Sequence, residues 1–378
     1  MVEESSRIRY NHYREYRMKF LLNPRDRAEL HQLFQTNERN YAVTDLLSTY
    51  FHSCARSLTK KEIFQEMEKR GADEETAFFF CLMRLMNVDS GEYRRFDSIR
   101  KGIHRLDPSR YEKNPFLQHI RFPESWKGNA RFFNDSYLPY EGFPYADIEV
   151  DPDDAYREIC SVGFFTRRYA FPSLIQNGVT WMSLIPNEIE TMRSPISSAK
   201  GNVLVYGLGI GYYAYMIHLK EEVRTVTIVE KDRRIIDLFD KHLYRQFPYP
   251  EKIRVIRADA LQYEKESNDR YDMAFIDLYH DEKDGIPLYR KFKKAEKRAD
   301  RYEYWLEKSL IEGIRRALIT LLNEQYFRLN VDYVHAENDN DDLINALYRY
   351  FSGTVFRSYR EIKEMLSEES VLKAIRNL

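Results

Sequence analysis

Asp277, His280, Asp281 and Asp284 fall within eight consecutive positions, with Tyr279 among them. Carboxylates and an imidazole at that density shift one another's pKa and offer a proton acceptor. Asp277 or His280 suits the removal of a proton from a nitrogen or oxygen nucleophile. No further His or Cys stands at ligand spacing, so a metal centre is not expected here. Upstream, Asn187-Glu188 places another acid before the run that holds the chain's glycines. Glu188 either supplies polar contacts over a shared crevice, or sits in solvent in the first turn of a helix capped by Asn187 or Thr191. The third constellation is Val203-Leu-Val-Tyr-Gly-Leu-Gly-Ile-Gly211, followed by Tyr212. Gly207, Gly209 and Gly211, with Leu208 between the first two, let backbone approach a ligand without Cβ interference. Glu230 stands 19 residues after Gly211, with Lys231 beside it. A carboxylate at that place can accept hydrogen bonds from both hydroxyls of a ribose. Asp259, next to Ala260, can receive an adenine amino group or cap a helix.

These residues need strands that end together. Val203–Tyr206, Val226–Val229, Ile253–Ile256 and Tyr271–Ile276 are apolar enough to be buried parallel strands. Helical patterns separate them, notably Arg233–His242, with Pro248 and Pro250 beyond it. In an open α/β sheet ligands sit beyond the carboxyl ends of the strands, so the glycines, Glu230, Asp259 and Asp277 should share one crevice. Before them, the β-rich runs Tyr169–Gln176 and Val179–Ile185 flank Asn177-Gly178, a strong hairpin signal. The expected fold class is α/β: a Rossmann-like sheet over 201–378 with a helical C-terminus, a β-hairpin connector over 151–200, and a mainly helical domain and linker over 1–150. After the fourth strand the spacing predicts one long helix over Leu288–Leu322, a late strand over Tyr326–His335, and closing helices over Asp341–Phe351 and Ser358–Leu366.

Taken in order, the stretch Asn202–Asp281 resembles the class I S-adenosylmethionine (SAM) methyltransferase fold and its relatives the spermidine synthases. The resemblance implies SAM or decarboxylated SAM as cofactor. Gly207, Leu208, Gly209, Gly211 and Tyr212 would then line its methionine and ribose portions, Glu230 with Lys231 its ribose, and Asp259 with Ala260 its adenine. Glu188, Asp277 and His280 would lie at the reacting end. Two departures stand out: Val205 replaces the usual acid two residues before the first glycine, and Ile210 replaces the aspartate of spermidine synthases. The function implied is methyl transfer to a small-molecule nitrogen or oxygen acceptor. Aminopropyl transfer and a non-catalytic sensor or scaffold are the alternatives.

With 378 residues, two domains are the natural expectation. The 59 basic and 60 acidic residues create no global field for nucleic acid or membrane. The basic and aromatic segment 93–113 either contacts phosphates and bases or is a solvated loop. The helices over Tyr41–Met86, with a Thr59–Glu62 capping box, form either a helix-turn-helix module or a cap on the catalytic domain. The first 22 residues read as a charged tail or docking helix, and 114–155 as an irregular linker. Cys54, Cys81 and Cys160 are few and scattered, no run is long enough to span a bilayer, and the start lacks a secretory pattern. A cytoplasmic protein is expected, and a homodimer is left open.

Overall fold

The run Val203–Val205 has no polar face to offer water, and it takes the centre of a sheet. In the computed structural model, which describes residues 17–54, 56–329 and 339–377 (without the side chains of 339–342), five parallel strands form the main layer. Four antiparallel strands precede them: β1 (Ser125–Lys127), β2 (Ala130–Tyr137), β3 (Tyr169–Gln176) and β4 (Val179–Ser183). The main strands are β5 (Gly201–Tyr206), β6 (Val223–Glu230), β7 (Ile253–Arg257), β8 (Tyr271–Ile276) and β9 (Ala299–Tyr304). Their spatial order is β7-β6-β5-β8-β9, with Val205 opposite Ile228 on one side and Phe275 on the other. This is the doubly wound order, and its direction reverses between β5 and β8. The reversal opens the crevice that the sequence called for.

The fifth strand overturns the expected long helix. Residues 288–322 divide into the end of one helix, Glu282–Ala295, then β9, then the start of another, Glu307–Tyr326. An edge strand faces water along one side, so Ala-Asp-Arg-Tyr-Glu-Tyr can be charged and still pair, a pattern that hydrophobic periodicity cannot register. The late strand expected at Tyr326–His335 falls mostly outside the described residues, and Tyr326 itself ends a helix. The expected N-terminal tail likewise lies outside them up to residue 16.

The hairpin forms as the sequence indicates, with Asn177 at φ +53° and Gly178 at φ +80°. That pair of left-handed conformations is what a two-residue turn matching strand twist requires. The stretch read as a linker contributes β1 and β2, so the hairpin belongs to a four-stranded sheet of order β4-β3-β2-β1.

Helices α1 (Pro24–Ser53), α2 (Lys60–Arg70) and α3 (Glu74–Leu85) precede both sheets. Thr59 and Glu62 form the expected capping box, Gly71 closes α2 at φ +61°, and Asp73 caps α3. The first turn of α3 carries Glu74 and Glu75. Glu74 pairs with Arg105 (2.9 Å) and Glu75 accepts the Arg105 N–H (2.9 Å). The face of α3 itself is buried around Phe78, stacked on Phe164 with centroids 4.5 Å apart. Carboxylates at that end would repel phosphates.

Five further helices position the site: α4 (Pro186–Thr191), α5 (Tyr212–His218), α6 (Arg233–His242), α7 (Ala260–Glu266) and α8 (Glu282–Ala295). Behind α8 runs α9 (Glu307–Tyr326), whose buried Arg316 donates to Glu158 (2.6 Å) and to Glu282 at the start of α8. The backbone N–H of Glu158 donates to the Asn40 side chain of α1 (3.1 Å), and the Asn37 side chain donates to the Arg316 carbonyl (3.3 Å). No helix among the described residues is long and apolar enough to cross a membrane.

Candidate functional site

Three strand ends are tied together at the crevice. The Asp277 N–H donates to the Tyr206 carbonyl (3.0 Å), and the Gly207 N–H donates to the Val229 carbonyl (3.0 Å). Gly207 holds φ +97°, and a Cβ there would lie 2.1 Å from the Asp277 carbonyl oxygen. The glycine is therefore required by the closeness of β5 and β8. Glu230 closes β6 and accepts two backbone N–H groups, from Leu208 (3.2 Å) and Asp232 (2.8 Å). Burial pushes its pKa up, and the two N–H donors pull it back. Each oxygen keeps lone pairs for further donors.

A cavity of about 770 Å³ opens beyond these strand ends. Gly207, Gly209, Glu230, Lys231, Asp259, Ala260, Asp277 and Glu188 all line it. Asp259 also caps α7 by accepting from Gln262 N–H (3.0 Å), so the two roles anticipated for it are compatible. Glu188 lies in the first turn of α4 and is buried, with its Oε2 finding no hydrogen-bond partner among the described residues. Its solvent-facing alternative is thereby overturned: α4 lies over the crevice. Neither Asn187 nor Thr191 caps α4, which begins at Pro186 without a side-chain cap.

The two acids at this end disturb each other. Burial pushes Asp277 up to about 7. Burial first, and then the Asp277 charge, pushes Glu188 well above the ordinary glutamate range. A cation placed between them would relieve both effects.

No protein-family model matches the chain, and no curated protein matches it. Among solved structures it is similar to spermidine synthase from Thermotoga maritima, at 16% identity and TM-score 0.29, over 39% of this chain and 58% of that one. It is also similar to a putative methyltransferase from Thermoplasma acidophilum (19%, TM-score 0.24, 31% and 51%) and a putative O-methyltransferase from Klebsiella pneumoniae (18%, TM-score 0.21, 25% and 44%). The chain thus spans about half the length of these structures. The similarity is one of fold.

Three residues expected at the cofactor take other positions. Leu208 contributes its backbone N–H to Glu230, and its side chain is in the core. Gly211 caps α5, where a Cβ would meet the Phe239 ring at 2.8 Å. Tyr212 turns from the cavity, packing edge-on against Phe116 while its hydroxyl accepts from Asn114 (2.9 Å). His280, expected as a proton acceptor, stands outside the cavity wall with its ring against Trp181. Val205 and Ile210 are both buried in the core, so the glycine loop supplies no acid of its own.

Gln176, Met182, Asp232, Arg234 and Trp305, which no motif in the sequence marks, also line the cavity. Gln176 donates to Asp232, and Arg234 donates both to Asp232 (2.9 Å) and to Asn129 in the β1–β2 turn. The four-stranded sheet is thereby fastened to the start of α6. Asp232 and Arg234 follow Glu230 so closely that strand-end position alone could have flagged them. Trp305 follows β9 and was hidden with it.

Proposed function

We propose that the crevice binds an adenosylsulfonium compound, SAM or its decarboxylated form, and transfers an alkyl group from it to a small nucleophile. The observation that carries this reading is one cavity lined both by a ribose-type carboxylate, Glu230, and by the carboxyls of Glu188 and Asp277. The volume lies within the range of small-molecule and cofactor sites. Glu230 would hold the ribose, Asp259 the adenine amino group, and the acid pair a positive charge that the glycine loop leaves unmatched. In the transfer, the nucleophile's lone pair forms the new bond to carbon as the carbon–sulfur bond breaks. Its electron pair returns to sulfur as a neutral thioether, and the nucleophile's proton leaves to Asp277, whose raised pKa suits a general base near neutrality. The protein otherwise orients the partners and excludes water.

Methyl transfer to an amine or hydroxyl is the favoured form. Aminopropyl transfer from decarboxylated SAM is the second, and the acid pair supports it because a polyamine acceptor is cationic. Titration calorimetry with SAM, decarboxylated SAM, S-adenosylhomocysteine and NAD separates the readings: SAM or its decarboxylated form should bind and NAD should not. If neither adenosylsulfonium compound binds, the transferase reading fails.

The ribose assignment has its own check. Glu230→Gln is expected to weaken S-adenosylhomocysteine by about 10- to 100-fold, the range of one or two hydrogen bonds to a charged group. A 2′-deoxyribose analogue should lose affinity for the unmodified protein and much less for the variant. Equal losses in both would remove Glu230 from the ribose.

A further inference from the structure

Strand β4 contains a register irregularity. Thr180 pairs with Ile175 and Met182 with Leu174, which leaves Trp181 as an extra residue opposite its partner strand. A bulge of this kind interrupts the alternation of faces and re-aims a side chain. Trp181 and Met182 accordingly both line the cavity, Met182 lying over Gly209. Trp181 is backed in turn by His280, with ring centroids 3.9 Å apart and planes at 76°.

His280 is itself held in place. Its Nδ1 lies 2.9 Å from Asp284 Oδ2, and Asp284 also accepts the backbone N–H groups of His280 (3.0 Å) and Asp281 (3.1 Å). Asp284 belongs to the capping box that starts α8, so the imidazole is anchored to a helix end. Facing a carboxylate, Nδ1 carries the proton. Nε2 is enclosed and meets no partner among the described residues. An imidazole so placed is a support for the indole, which lines the cavity.

We propose that Trp181 determines specificity at the reacting end of the cavity, and that His280, oriented by Asp284, is the positioning residue that keeps the indole there. The inference rests on the adenosylsulfonium reading. A sulfonium or ammonium is attracted to an indole face, and a neutral thioether is not. The bulge therefore builds a wall that favours the charged substrate over the spent thioether product. It also favours acceptors that present a cation or a methylene chain over those that need a hydrogen-bonding partner at this place.

The test uses the full chain carrying Trp126→Phe and Trp305→Phe, because Trp126 is 74% exposed and would dominate emission quenching, and Trp305 in the same cavity would emit alongside Trp181. His280→Ala should raise acrylamide quenching of the remaining tryptophan emission by about twofold or more and lower the SAM-to-S-adenosylhomocysteine affinity ratio by about threefold or more. His280→Phe, which keeps a ring behind the indole, should restore both, and thermal melting confirms that each variant is folded. The positioning role is overturned if His280→Ala leaves quenching and ratio unchanged, or if His280→Phe behaves as the alanine variant does. Should the unmodified protein bind neither ligand, the adenosyl reading and the specificity claim fall together, and the ligand-free quenching still decides the support of Trp181 by His280.

Discussion

Glu188→Gln is expected to make the unliganded protein more stable at pH 8 and poorer at holding a cationic ligand. Glu188 and Asp277 are both buried against the same cavity, and both titrate above their ordinary range. Groups with raised pKa values leave stability intact below the unfolded values, near pH 4, and withdraw it as pH rises through the folded values. For Asp277 that window runs from about pH 4 to beyond pH 7. The relief given by an amide should therefore be absent at pH 4 and grow towards pH 8. Asp277→Asn should show the same pH signature. It should also lower turnover by about 10²- to 10⁴-fold, the usual loss when a general base is removed. Melting curves at the two pH values, paired with SAM calorimetry, check both halves. A glutamine variant that melts lower at pH 8 would mean that Glu188 is anchored rather than strained by its neighbour. The expected pairing of stability gained with function lost is typical of residues kept for their chemistry.

Gly207→Ala should be the most damaging single-methyl change near the crevice. The backbone there holds φ +97°, and the new Cβ would overlap the Asp277 carbonyl oxygen at 2.1 Å. Backbone on both sides leaves no flexible side chain to give way. A cost of about 3–5 kcal/mol follows from adding conformational strain to overlap, together with displacement of Asp277 from its strand end. Gly209→Ala offers the contrast. Its backbone is also left-handed, at φ +52°, but its Cβ would meet only Met182, with the sulfur 2.4 Å away on a flexible side chain, and a smaller loss is expected. Denaturant unfolding of the two variants measures the difference. Comparable stabilities would show that β5 and β8 can part without penalty.

What could be read in advance follows from how each signal is encoded. The strands β5, β6 and β8 are buried along most of their length, so burial wrote itself into continuous Val, Ile, Ala and Phe runs, and the acids at their ends marked the crevice. Asn177-Gly178 was legible because its turn demands left-handed conformations that few residues accept. By contrast, β9 is an edge strand whose polar side chains satisfy water, and it looked like the charged helix before it. Trp305 was lost with that strand. Tyr212 was misplaced because the glycine loop predicts where backbone goes, whereas the direction of the next side chain depends on Asn114 and Phe116, about a hundred positions away. His280 lies outside the cavity wall for a related reason: proximity to Asp277 in the chain says nothing of a bulge in β4. Titratable density points to the end of β8, and tertiary packing decides which of its side chains reach the cavity.

Arg316 carries a consequence for anyone who would cut this protein into parts. Its guanidinium bridges Glu158, which lies ahead of the hairpin and is tied to α1, and Glu282, which opens the helix next to His280. A fragment beginning at residue 201 would keep Arg316 and Glu282 and lose Glu158, leaving a charge in the interior with half of its compensation. Removing one partner of a buried pair costs about 3–5 kcal/mol, a large share of what holds an ordinary domain together. Position 200 is thus a border in the order of residues and a continuous interior in energy. Asn37 and Asn40 of α1 reach into the same cluster, through the Arg316 carbonyl and the Glu158 N–H.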